Sequence, residues 1–194
     1  MEIRLANITT DLSDIVRIHI RAFPGFFMTD MGSSFLQEYY QAVLEFSENL
    51  SLIAIKDNKA IGFVVGFGNP PAFYNFYRGR YSRLIRVTLL AMLRNPSLIG
   101  RVLSNAKRIS SVQGSQLEVE LSSIAVDPTF TGVGHLLITA FVELARYRRY
   151  QSIYLTTDAE GNDRVNDFYT RQDFFLESNF LSGQRKMNQY RMFL

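Results

Sequence analysis

A chain of 194 residues carrying a net charge of +3 is long enough for one domain with a full hydrophobic core. With no cysteine and only His19 and His135, it excludes disulfides, thiolate zinc sites and histidine-rich metal centres, so no metal is expected. The opening Met-Glu-Ile-Arg lacks a signal peptide's apolar region, and the densest apolar stretch, Val87–Leu93, is too short to span a bilayer; a cytoplasmic location is the default expectation.

Glu2–Leu5 alternates and predicts an opening strand. Thr10 is a candidate cap for a helix whose first turn holds Asp11 and Asp14, both suited to the helix dipole. The apolar stripe of that helix is Leu12, Ile15, Val16, His19 and Phe23, which makes His19 a core histidine rather than a catalyst. Phe23-Pro24-Gly25-Phe26-Phe27 breaks the helix. A second helix is expected near Ser34, with Gln37 at capping-box spacing and Leu36, Tyr39, Tyr40, Val43 and Leu44 on one side. Leu52–Ile55 and Ile61–Phe67 then read as a hairpin across Asp57-Asn58. The next clear strand is Leu117–Val126.

The stretch between those strands stands apart. From Asn69 to Gln116 there is no Asp or Glu, while Arg78, Arg80, Arg83, Arg86, Arg94, Arg101, Lys107 and Arg108 supply eight positive charges. The remainder of the chain has a net charge of −5. Tyr81–Leu93 and Pro96–Arg108 both read as helices, broken at Asn95-Pro96. Phe73, Tyr74, Phe76, Tyr77 and Tyr81 cluster at the start. Residues 69–116 are thus expected to be a basic helical insertion within one domain spanning 1–194.

Residues 124–137 carry the strongest functional signal. The apolar run Ile124-Ala125-Val126 leads through Asp127-Pro128 into a loop with Gly132 and Gly134. An amphipathic helix follows at once, with Val133, Leu136, Leu137, Ala140, Phe141, Leu144 and Ala145 on one face. Free N–H groups at a helix start, together with the dipole, attract anions. No Lys follows either glycine, so the pattern is not a P-loop; Leu137 stands where a dinucleotide fingerprint needs its third glycine. Ser152–Thr157 is the next strand. Asp163–Thr170 is a short helix with Val165, Phe168 and Tyr169 on one face, and Phe174–Phe180 and Gln184–Phe193 close the chain as strands around Ser182-Gly183.

The strand, glycine loop and helix resemble motif A of the GNAT acetyltransferases, whose pattern is Arg/Gln-x-x-Gly-x-Gly/Ala. Thr129 stands where Arg or Gln is usual, Phe130 where a glycine often sits, and the turn is about two residues short. A second stretch is similar to the family's Asn-x-x-Ala-x-x-Phe-Tyr-x-x-x-Gly-Phe. Asn162, Phe168, Tyr169 and Phe174 match it; Val165 replaces Ala, and Asp173 replaces Gly. The match covers residues 117–194, and the N-terminal part agrees in its order of elements. The resemblance implies an α/β (α+β) fold: a central mixed, mostly antiparallel sheet flanked by helices, with the insertion between strands 3 and 4.

The resemblance also implies acetyl-CoA as acetyl donor, with its pyrophosphate on Thr131, Gly132, Val133, Gly134, His135 and Leu136. Its pantetheine arm would run along a splayed strand at Ile124, Ala125 and Val126 and past Asn162 and Phe168. Asn162 could equally cap the short helix. Acetyl transfer needs a base for the amine, donors for the carbonyl oxygen and an acid for the leaving thiolate. Glu120 stands four residues before the Ile-Ala-Val position, where the family often places its base; Glu118 is the alternative, pointing to the same face. The N–H groups of Ile124 and Val126 are the expected oxyanion donors. Tyr169 is the candidate acid, with a plain core tyrosine as the alternative. No Gly-x-Ser-x-Gly elbow or cysteine nucleophile exists, which favours direct transfer.

The acceptor is expected to be a primary amine on a small molecule, and the likeness of the C-terminal half to polysaccharide-associated members favours an amino sugar or nucleotide-linked sugar. Phe23–Met28 is expected to line its cleft. For the insertion three readings stay open: binding an anionic acceptor, lying on an anionic membrane surface, or packing, including in a homodimer. The acidic remainder argues against nucleic acid. The altered motif A also leaves open a non-catalytic acyl-CoA sensor, or an acyltransferase working at a membrane surface.

Overall fold

The computed structural model describes residues 1–80, 88, 115–183 and 185–194. The elements run β1 (Glu2–Leu5), α1 (Ile8–Ala22), α2 (Phe27–Asp30), α3 (Ser33–Glu45), β2 (Leu52–Lys56), β3 (Lys59–Gly68) and α4 (Pro70–Arg78). They continue with β4 (Glu118–Val126), α5 (Val133–Tyr147), β5 (Ser152–Asp158), α6 (Asp163–Thr170), β6 (Phe175–Ser182) and β7 (Arg185–Phe193). The helices expected over 81–93 and 96–108 lie, but for Thr88, outside the described residues.

Seven strands form one sheet in the order β1-β2-β3-β4-β5-β7-β6. Every neighbouring pair is antiparallel except β4 and β5. This is the mixed, mostly antiparallel α/β sheet that the sequence implied. The β2–β3 turn places Asp57 and Asn58 at φ 50° and 60°, the paired left-handed geometry that closes two-residue hairpins. The parallel β4–β5 pair needs a crossover, which α5 supplies.

Two apolar layers sandwich the sheet. On one side α1, α3 and α4 bury Ile15, Ile18, Leu36, Tyr40 and Phe73 against Phe63, Val65 and Phe67 of β3. On the other, α5 and α6 bury Leu137, Phe141 and Tyr169 against Val64, Leu121, Leu155 and Tyr190. β3 supplies both layers, which is why Ile61–Phe67 is a continuous rather than alternating run.

The structure corrects several local expectations. α1 starts two residues before Thr10: its cap is Asn7, whose Oδ1 accepts from the N–H groups of Thr9 (2.8 Å) and Thr10 (3.3 Å). Asp11 is buried and takes two hydrogen bonds from Arg4, at 2.6 and 2.8 Å. α3 starts after Gly32 at φ 90°, with no side-chain cap, so Ser34 and Gln37 form no capping box. In α5 the buried stripe includes Ile138 and Val142, while Leu136 is exposed; the helix is rotated from the expected face. The helices α2 and α4 were not anticipated. For α4 the signal was present: Asn69 caps it by accepting from Ala72 N–H, and Pro70-Pro71 occupy its first turn.

α4 also changes the account of the insertion's start. Phe73 is fully buried, stacked 3.7 Å from Phe67, and Tyr77 packs beside it. These aromatics are core. Arg80 pairs with Glu45 of α3 and lies over the Phe76 ring at 4.7 Å, so at least one of the eight cations is offset within the chain.

Candidate active site

The sheet opens between β4 and β5. Their pairing covers only Glu118–Glu120 against Ser152–Tyr154. Beyond it β4 stays with β3 as far as Val126, and β5 stays with β7 as far as Asp158. The divergence begins at a bulge: Val65 pairs with Ser123 and Gly66 with Leu121, so Ser122 is the extra residue. Gly66 opposite the bulge cannot carry a side chain, since a Cβ there would lie 2.5 Å from the Phe141 ring and 2.6 Å from the Glu120 carbonyl oxygen.

Helix α3 pins the bulge through consecutive residues. The Tyr39 hydroxyl meets the Ser122 hydroxyl, and Tyr40 donates to Ser123 Oγ at 3.1 Å. Behind them, His19 Nδ1 lies 2.6 Å from the Tyr40 hydroxyl. His19 is buried, as the sequence led us to expect, and burial drives its pKa down to about 4. It is a neutral strut at ordinary pH.

The open edge of β4 carries free donors. The Asp127 N–H bonds to Ile61 O at 2.8 Å, toward β3. Alternation along the strand then turns the N–H groups of Ile124 and Val126 to the opposite edge, which faces the gap. Ala125 is buried toward α1 and α3.

The glycine loop follows directly. Asp127 organises it: its Oδ1 accepts from Thr129 N–H (3.1 Å) and Thr129 Oγ1 (2.8 Å), and its Oδ2 from Arg21 of α1 (2.6 Å). The Thr129 hydroxyl, then the Thr129 N–H and the charges of Arg21 and Arg17, outweigh burial and hold the Asp127 carboxyl below the usual range. The Thr129 hydroxyl thus turns back onto Asp127, although the residue itself is exposed. Phe130 also turns back against the core, with Lys56 5.8 Å above its ring.

The departures from motif A therefore serve the loop's own packing, and its backbone is left to face outward. Gly132 takes φ 77° and begins α5 without a side-chain cap. Among the described residues no protein acceptor takes the N–H of Thr131, Gly132, Val133, Gly134 or His135. Thr131, Gly132, His135 and Leu136 are exposed and Val133 is buried. Phe168 of α6 lies beside Gly134, its ring 3.6 Å from where a Cβ would stand. His135 Nδ1 meets Gln172 Oε1 at 2.6 Å.

On the α5 face of the gap sits Tyr169, packed on Phe168, Phe174 and Tyr190. Burial pushes its phenol upward, so it keeps its proton. Asn162 precedes α6, but its side chain does not cap the helix; Nδ2 donates to Thr157 Oγ1 at 2.7 Å. Asp173 holds φ 63°, which explains the glycine usual at that place in the resembled motif.

On the α3 face sits Glu120, only 9 % exposed. Tyr154 donates to its Oε2 at 2.8 Å, and Tyr74 reaches both oxygens, at 3.0 and 3.1 Å. Glu118 faces the same way but binds Arg191 at 2.6 Å. Further along β5 on this face, Gly25, Phe26 and Phe27 stand across a cleft of about 200 Å³ from Asp158 and Arg185. Arg185 grips Asp158 with two hydrogen bonds, at 2.8 and 2.5 Å. The part of Phe23–Met28 expected at a cleft is thus at one. Tyr74, Tyr154, Tyr39 and the Asp158–Arg185 pair were not expected at the site from sequence. Their contacts depend on strand register and helix placement, which no local pattern encodes.

The model of the acetyltransferase (GNAT) family matches residues 12–174. The chain belongs to the GNAT acetyltransferase family. Solved structures with the same fold include a GNAT-family acetyltransferase of Desulfovibrio desulfuricans, at 16% identity and TM-score 0.65, covering 99% of this chain and 98% of that one. The ribosomal-protein-alanine N-acetyltransferase of Brucella melitensis gives 14% identity and TM-score 0.63, with full coverage of both chains. The PaiA N-acetyltransferase of Thermoplasma acidophilum, in complex with coenzyme A, gives 14% and 0.61, with 98% of each chain covered. No curated protein matches the sequence. Among the described residues of this GNAT protein no helix is long and apolar enough to cross a membrane.

Proposed function

We propose that this GNAT protein transfers an acetyl group from acetyl-CoA directly to a primary amine of a small molecule. One observation carries the reading. The gap between β4 and β5 has a buried carboxylate on one face and a proton-retaining phenol on the other, with unpartnered donors at its edge and at the start of α5. The outward N–H groups of residues 131–135 and the α5 dipole suit a pyrophosphate, and the gap suits an extended arm.

Acetyl-CoA, when bound, supplies the activated thioester. The chain's residues supply the rest. Glu120 accepts the amine's proton from the α3 side. The N–H groups of Ile124 and Val126 face the carbonyl oxygen; one such donor is worth about 3 kcal/mol of barrier in other enzymes. Tyr169 delivers a proton to the departing sulfur from the α5 side. Asn162 and Phe168 flank the arm.

For the acceptor, we favour an amino sugar or nucleotide-linked amino sugar. The cleft at Asp158 begins four residues along β5 from Tyr154, roughly 13 Å at strand spacing, so an acceptor that fills both places is extended. Exposed Phe26 offers a stacking surface and the Asp158–Arg185 pair a planar polar one.

The test combines binding and turnover. Acetyl-CoA should raise the melting temperature of the wild type and of Glu120→Gln alike. Across a screen of amino-sugar nucleotides, polyamines, amino acids and peptides, coenzyme A release should be lost about 100- to 10,000-fold in Glu120→Gln. A wild type that binds acetyl-CoA but acetylates none of these amines would instead be an acyl-CoA sensor.

A further inference from the structure

The two glutamates on the α3 face of β4 both take hydrogen bonds from side chains of other elements. Glu118 is gripped by Arg191, which also binds Glu177, so the two carboxylates share one cation. Burial opposes ionisation of Glu177, yet the Arg191 hydrogen bond holds it below its usual range. Glu120, two residues on, receives phenols: Tyr154 from β5 at 2.8 Å, and Tyr74 from α4, near-equidistant from both oxygens. Phenols orient a carboxylate and satisfy its buried oxygens without adding charge.

Tyr74 is placed with some care. α4 is set by the Asn69 cap, by Asn69 N–H on Glu118 O at 3.0 Å, and by the stacking of Phe73 on Phe67. Phe67 is the residue opposite Glu120 in the β3–β4 register. The Tyr74 ring stands edge-on to Phe67, with centroids 5.9 Å apart, so its hydroxyl extends over that residue to the carboxylate. Three successive fittings of the segment after β3 thus converge on one side chain of β4.

We propose that Tyr74 is a positioning residue for Glu120: the first helix of the segment joining β3 to β4 fixes the orientation and ionisation of the carboxylate that serves as the base. The proposal rests on Glu120 being that base. It gives residues 70–78 a role in the chemistry that is independent of any acceptor or membrane contact by the basic residues that follow.

The experiment titrates Glu120 directly and needs no acceptor. In full-length protein carrying ¹³C-labelled glutamate side chains, the Glu120 carboxyl signal is assigned by its loss in Glu120→Gln. Tyr74→Phe removes one oxygen and keeps the ring. Losing a donor of ordinary hydrogen-bond strength should raise the Glu120 midpoint by roughly half to one pH unit. Glu118, Glu177 and Arg191, on the same face, are untouched by the substitution. A Glu120 midpoint that does not move overturns the proposal.

If Tyr74→Phe fails to fold, 3-fluorotyrosine at position 74 takes its place. As a stronger donor in nearly the same shape, it should lower the midpoint, and a rise or no change is again fatal. In turnover, measured with the amine found in the screen, Tyr74→Phe should lower kcat about tenfold and leave the acetyl-CoA KM within twofold. A fully active Glu120→Gln would remove the base assignment itself. An inactive Glu120→Gln beside an unshifted Tyr74→Phe would remove only the role of Tyr74.

Discussion

The two halves of the sheet are built to different standards. In the β1–β4 half both faces of β3 are covered, and its Phe63, Val64, Val65 and Phe67 are all fully buried. Among the described residues of the β5–β7–β6 half, α5 and α6 pack on one face. The other carries Arg185, Gln189, Arg191, Asp158 and Glu177, and edge strand β6 is exposed almost throughout. The closed half holds what must not move: the bulge, the outward N–H groups and Glu120. The open half offers a polar floor to whatever enters. On the proposed function, the chemistry would sit on the half with the larger packing energy, and acceptor recognition on the half with the polar surface.

The comparison can be tested at its extremes. Phe63→Ala, in the closed half, should cost about 3–5 kcal/mol of stability, read as a fall in denaturant midpoint. A loss below about 1 kcal/mol would mean that the core relaxes freely around β3.

The next effect belongs to His19, behind the bulge. Its folded pKa of about 4 lies below the unfolded value of 6.5, so the unfolded chain binds more protons between those values. Stability is therefore undiminished above pH 6.5 and falls as pH drops toward 4, by up to about 3 kcal/mol from this one group. His19→Phe should flatten the melting-temperature slope across that window, even if its absolute stability changes. An unaltered slope would show that His19 ionises freely in the folded state.

At the seam between the halves, Tyr169→Phe should lower kcat by roughly 10- to 1000-fold while acetyl-CoA affinity stays nearly constant. Equal kcat in the two proteins would make Tyr169 a packing residue.

The smallest effect is expected on the open half. Leu181 of β6 is 74% exposed, and Leu181→Ser should change stability by less than about 0.5 kcal/mol. A larger loss would mean that something covers β6 in solution.

The sequence revealed what is local. Strand, turn, two glycines and helix follow one another within residues 118–147, so the glycine loop and its N–H groups could be read from spacing, and motif A from resemblance to the family. The Asp57-Asn58 hairpin and the burial of His19 were legible for the same reason. What escaped was whatever required a second element. Ser122 becomes a bulge only opposite Gly66, and Tyr39 and Tyr40 find their roles only when α3 lies on it. α4 was hidden because its aromatics and Arg78 read as the start of a basic insertion. The Asn69-Pro70-Pro71 start was a helix signal of ordinary strength. Thr129 and Phe130 looked like losses from a motif; in space they tie the loop to Asp127 and the core.

The join at Asn69 has a consequence for how the chain can change. Its N–H bonds to Glu118 O, so the connection between β3 and β4 leaves the sheet and returns to it at one place, despite running for roughly fifty residues. Closing a loop of that size costs only about 2 kcal/mol more than closing a tight turn, and each further doubling adds about 0.6 kcal/mol. The paired strands repay that once, whatever the length between them. Past α4, the chain can therefore gain or lose segments here at little thermodynamic cost, and the slower search for so distant a partner falls on the folding rate instead.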